Sequence, residues 1–172
     1  MKVNALVTLA LLMLFGGGCM SMRRDEYGRA LPHTPQWRLK QRAGDHKGLL
    51  RYDVVYVRQS DDLYHSGYEI VRFWPSGHYM YKRVSRIDID DIDSYRGAVI
   101  GYYQVNNDGQ ILIEMFTGFN FGQYSYITGR LTQNGEFLKE ASGSWKWWRN
   151  PYPQPLRYIP HFVGELQLQP DW

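Results

Sequence analysis

Any chemistry in this 172-residue chain has to start from a few clusters of side chains, and the densest is acidic. Asp88, Asp90, Asp91 and Asp93 place four carboxylates within six residues, a composition that a hard cation such as calcium can use. The run lacks the glycine and the closing glutamate of an EF-hand loop, and Lys82, Arg83 and Arg86 stand near enough in sequence to neutralise it. A solvated connection between strands accounts for it better. The five histidines, His33, His46, His65, His78 and His161, show no H-E-x-x-H or short-pair spacing suited to zinc. Glu114, Glu140 and Glu165 are dispersed with nothing to pair them as acid and base, and neither a G-x-S-x-G elbow nor a phosphate-binding loop occurs. The expectation is therefore a noncatalytic protein with no metal site and no cofactor.

The most unusual segment is aromatic. Trp145-Lys146-Trp147-Trp148-Arg149-Asn150 runs into Pro151-Tyr152-Pro153-Gln154-Pro155. Trp, Tyr and Arg dominate binding hot spots, and proline-rich stretches lose little entropy on docking. Trp145, Trp147, Trp148, Tyr152 and Tyr158 are thus the candidate binding surface, for another protein or for sugars of a cell wall. The structural alternative is equally open: Trp145 and Trp147 can fill a core while Tyr152 and the prolines form its lid.

These residues need elements to position them, and from Leu49 onward the chain reads as short β-rich runs punctuated by glycine turns. Residues 68–74 meet 78–84 across Pro75-Ser76-Gly77, 99–105 meet 111–116 across Asn106-Asn107-Asp108-Gly109, and 123–132 meet 136–141 across Gln133-Asn134-Gly135. Proline or asparagine followed by glycine supplies the geometry that tight hairpins need. With residues 50–58 in front and 144–148 and 162–168 behind, about eight or nine strands follow in meander order. Alternation puts Ile111, Ile113 and Met115 on one face and Leu112, Glu114 and Phe116 on the other. With bulky groups on both faces, closure into a barrel removes the edges and encloses one face. The expected fold is an all-β, antiparallel up-and-down barrel over residues 49–170. Aromatic residues make up 16% of the chain, which tilts the interior toward being filled, and a net charge of only +3 gives no case for nucleic acid.

The runs RFWPSGHYMYKRV, GYYQVNNDGQILIEMF and YITGRLTQNGEFL resemble the repeated hairpins of lipocalin-like domains in small bacterial lipoproteins. The lipocalin Gly-x-Trp signature is missing, so the resemblance implies a barrel that either carries a small apolar ligand or is filled by its own side chains.

The N-terminus carries a second resemblance. A positive start at Lys2 is followed by the apolar run ALVTLALLMLF, about eleven residues and too short for a bilayer about 30 Å thick. Gly16, Gly17 and Gly18 then lead into Cys19, the sole cysteine. This resembles the lipobox of bacterial lipoproteins, with Gly16 where leucine is usual, and implies cleavage after residue 18 and a lipid anchor on Cys19. Met20 in place of aspartate implies sorting to the outer membrane, with the folded part in the periplasm. Residues 19–48, with their two prolines and basic excess led by Arg23 and Arg24, read as a flexible tether. The expected partners are the membrane through Cys19 and an envelope protein or the cell wall, with a small apolar ligand as the alternative.

Overall fold

A computed structural model describes residues 22–39, 48–62, 65–144 and 149–172. Its strands are β1 (Met22–Arg24), β2 (Ala30–Pro32), β3 (Val55–Asp62), β4 (His65–Phe73), β5 (His78–Val84), β6 (Val99–Val105), β7 (Gln110–Thr117), β8 (Gln123–Leu131), β9 (Phe137–Gly143) and β10 (Asn150–His161), joined among the described residues by a short α-helix, α1 (Ile89–Ile92), and a 3-10 turn at Phe119–Phe121. The three turns expected from sequence close the hairpins β4–β5, β6–β7 and β8–β9. Gly77, Gly109 and Gly135 adopt φ of 82°, 77° and 73°, the left-handed region that only glycine enters without strain. Strands β3 to β10 pair antiparallel in sequence order, and β10 returns to β3, so the sheet is a closed eight-stranded up-and-down barrel.

The barrel closes with a strand that the sequence hid. Residues 162–168, expected to form the last strand, do not; β10 spans the proline-rich stretch instead. Its prolines fit because pairing with β9 is irregular, with a register shift between Pro151 and Leu156, and because the β3 contact is limited to residues 159–161. Proline lacks the amide that a regular ladder uses, so a bulge or short pairing is where a sheet tolerates it. The expected strand over 144–148 falls largely on residues outside those described.

The two ends of the barrel differ. At one end, where the chain turns at 74–77, 106–109 and 132–135, the interior is packed with rings. Phe73 stands with ring centroids 5.5 Å from Tyr56, 5.6 Å from Tyr79, 4.9 Å from Tyr103 and 5.6 Å from Phe137, in edge-on or tilted contact. Leu50 and Val54, on the segment entering β3, join this core and Leu49 packs against it, so the segment lies across this end as a seal. The Tyr56 hydroxyl accepts the Arg51 amide at 3.0 Å, which fixes the seal to the barrel. At the other end, where β3 meets β4, β5 leads to β6, β7 to β8 and β9 to β10, the inward positions become polar.

The outer wall is also covered. Met22, Ala30 and Trp37 pack on Phe116, Tyr124 and Tyr126. Ile87, Ile92, Val163 and Leu166 cover Val55 and Ile70, while Leu168 and Trp172 cover Trp74 and Met80. This corrects the expectation of a flexible tether for residues 22–39: β1 and β2 form a ribbon, and the following segment docks on the barrel. The cause is specific. Glu114, expected as a dispersed strand carboxylate, is completely buried on the outer face, where it accepts the Arg38 and Leu39 amides at 2.7 Å each and the Tyr126 hydroxyl at 2.7 Å. Without that docked segment a buried carboxylate would lose most of its partners.

Candidate functional site

Register builds a charged cluster inside the polar end. Arg58 of β3 stands opposite Glu69 of β4, and Glu69 stands opposite Arg83 of β5, so three adjacent strands present plus, minus and plus side by side. Cross-strand neighbours of opposite charge on one face support each other. Arg58 Nε donates to Glu69 Oε2 at 3.0 Å and Arg83 Nη2 approaches Oε1 at 3.3 Å. Tyr158 Oη donates to Oε2 at 2.6 Å and Tyr81 Oη to Oε1 at 3.0 Å, while Arg83 Nε donates to Tyr81 Oη at 2.8 Å.

Glu69 is buried, and burial alone would raise its carboxyl. The hydrogen bonds from Arg58 and Tyr158 and the Arg58 charge outweigh that and hold it at about 2. The tyrosines move the other way: burial, and then the charge of Glu69, pushes Tyr81 up to about 12 and Tyr158 further. At neutral pH the cluster is thus a fixed carboxylate held by two guanidiniums and two neutral phenols, with no group poised to gain or lose a proton. Such a cluster can hold a shape or orient a charged group.

Above the cluster, toward the rim, lies a groove of about 360 Å3 lined by Ser60, Ser66, Gly67, Tyr68, Arg83, Val84 and Ser85. Ser60 faces inward from β3, is 6% exposed, and its hydroxyl has no hydrogen-bond partner among the described residues. A Cβ at Gly67 would stand 2.5 Å from the Val84 carbonyl oxygen, so only glycine lets β4 approach β5 at this rim.

The residues singled out from sequence separate. Cys19, Trp145, Trp147 and Trp148 lie outside the described residues. Tyr152 is half-buried, its hydroxyl 2.8 Å from Ser142 Oγ and its ring centroid 5.4 Å from Lys139 Nζ. Tyr158, expected on an exposed aromatic surface, is instead fully buried in the cluster, because its position on β10 turns it inward beside Phe137. The acidic run is no open connection. Asp88 caps α1 by accepting the Asp90 amide, and Asp93 accepts the Gln167 and Leu168 amides and pairs with buried Arg72 at 2.6 Å, pinning the C-terminal segment to the wall. Glu140 pairs with Arg130 at 3.1 Å, far from Glu114 in role and place. Among the described residues no three His, Cys, Asp or Glu side chains gather as metal ligands, and no helix is long and apolar enough to cross a membrane.

Arg58 and Glu69 were not singled out from sequence, and Arg83, expected to neutralise the acidic run, faces Glu69 instead. The available signal was alternation: each falls on the same face of its strand as Tyr56, Val71 and Tyr81, a face otherwise bound for the interior. Fold and site together define an eight-stranded β-barrel sealed at one end and charged within the other. The sequence matches no protein-family model, and comparison with curated proteins and with solved structures likewise finds no match.

Proposed function

We propose that this protein is a noncatalytic lipoprotein of the bacterial envelope, anchored by lipid on Cys19, whose barrel is a binding module for a protein or cell-wall partner engaged at its polar end. The observation that carries the reading is the polarity of the barrel. One end is packed with rings and sealed by residues 49–54, whereas the other gathers Arg58, Ser60, Glu69, Tyr81 and Arg83 beneath a groove. Fixed charges in a shaped, partly buried setting give orientation and specificity. The ring-packed interior of the barrel's other half supports a module over a carrier of a small apolar molecule, which needs an enclosed cavity with apolar walls.

A photo-reactive residue at Ser66, on the polar rim, and another at Asn134, on the sealed end, test this in cells making the full chain. The reading expects protein or glycan adducts, identified by mass, from position 66 and none from 134. Adducts from both positions, or from 134 alone, contradict it.

A further inference from the structure

The loop between β7 and β8 stands at the polar end, and it is the most conspicuous apolar feature of the described surface. Phe119 and Phe121 are 68% and 79% exposed, more than any other large apolar side chain described. Their display is built into the backbone. Asn120 and Phe121 both take left-handed conformations, with φ of 48° and 64°, uncommon for asparagine and a real outlier for phenylalanine. Strain of this kind persists only where its surroundings impose it. Here Gly122 donates its amide to Phe119 at 3.0 Å, and the space beside Gly122 is filled, a Cβ there falling 2.7 Å from the Phe116 ring and 2.9 Å from Met22 Cβ. The loop is thus a supported tip that turns two rings to the outside.

Positive charge and the chain's own path adjoin that tip. Met22 packs beneath it, Arg23 and Arg24 are exposed on β1, and the Arg24 guanidinium lies 3.8 Å from where a Cβ would stand on Gly118. Cys19 is three residues before Met22, so at most about 11 Å of extended chain separates them.

We propose that the Phe119–Phe121 tip, adjoined by Arg24, is a membrane-docking surface that inserts its two rings into the headgroup boundary of an anionic bilayer. This rests on the lipid anchor at Cys19 of the preceding reading. Exposed aromatic and basic groups presented together suit that boundary, which an apolar surface enters by about 5–10 Å. A tether this short leaves the barrel against the bilayer, and the tip fixes which end faces it. The Arg58–Glu69–Arg83 cluster then lies at the membrane-facing end, where a partner is met at the bilayer surface, and the sealed end points away.

The test uses the full lipidated chain in vesicles of phosphatidylethanolamine with a minor share of phosphatidylglycerol. Asn120→Cys and, at the sealed end, Asp108→Cys each carry a fluorescent label, Cys19 being blocked by its lipid. Quenching by spin-labelled acyl chains should be roughly threefold or more stronger at position 120 than at 108. Adding Phe119→Ser and Phe121→Ser should abolish the difference while leaving the fold intact, since both rings are outside the core. Intact mass of the mature N-terminus separates the two readings. Lipid on Cys19 with equal quenching at 120 and 108 overturns the docking tip and leaves the lipoprotein reading standing, whereas absence of lipid on Cys19 overturns both.

Discussion

The sealed and polar ends of this barrel are made from the same eight strands, yet they answer different physical demands. At the sealed end, Tyr56, Phe73, Tyr79, Tyr103 and Phe137 fill the space between strands, and volume is the main demand, with the Tyr56 and Tyr103 hydroxyls adding bonds to Arg51 and Trp74. At the polar end, Glu69 depends on four particular donors, and losing any of them leaves a buried charge short of partners. The apolar end is held by filled volume, and the charged end by matched partners. The end that carries the charge also carries the exposed Phe119–Phe121 loop.

Cutting into the sealed end should cost the most. Phe73→Ala removes the ring at the centre of the aromatic cluster and is expected to destabilise by about 3–5 kcal/mol in denaturant unfolding. A loss under about 1 kcal/mol would mean the ring cluster is not what holds the barrel.

Glu69→Gln probes the polar end and should have a pH signature that Phe73→Ala lacks. The Glu69 carboxyl is held below its unfolded value, so its contribution is complete above about pH 4.5 and is lost as pH falls toward 2. The variant should be less stable by on the order of 3 kcal/mol at neutral pH, and the gap should narrow at pH 3. A gap independent of pH would refute the ion-pair account.

Smaller effects belong to the outer wall. His78 Nε2 lies 3.0 Å from the Trp172 carbonyl and must donate to it, so Nδ1 of the neutral ring accepts from Ser76 Oγ at 2.7 Å. Burial lowers the His78 pKa more than the Trp172 contact raises it. The folded form therefore favours the neutral ring, and its contribution is complete above the unfolded value near 6.5 and declines as pH falls below it. Amide exchange in residues 167–172 should accelerate between pH 7.5 and pH 5.5 relative to the barrel strands, and His78→Gln should flatten that dependence. Smallest of all, Phe119→Ser with Phe121→Ser should leave stability within about 0.5 kcal/mol, because neither ring packs in the core.

The barrel was legible in the sequence, whereas the contrast between its ends was not, and the reasons are physical. Glycine turns at 77, 109 and 135 fix three hairpins locally, and strand alternation implies closure. The closing strand was hidden because Pro151, Pro153 and Pro155 read as a recognition stretch or a lid, whereas an irregular register accommodates them in a strand. Residues 22–39 show no periodicity, because they are held by backbone amides on Glu114 and by Trp37 rather than by an apolar stripe. The Arg58–Glu69–Arg83 cluster needs the pairing of three strands, 25 residues from end to end, and pairing register is set by the whole sheet.

The most direct test of the division of labour is amide exchange on the full lipidated protein, compared between native membranes and detergent. The account predicts that membranes protect residues 65–68 and 118–122 at the polar end and leave the 106–109 and 133–135 turns of the sealed end unchanged. Protection of the sealed-end turns with the polar rim unaffected would contradict it.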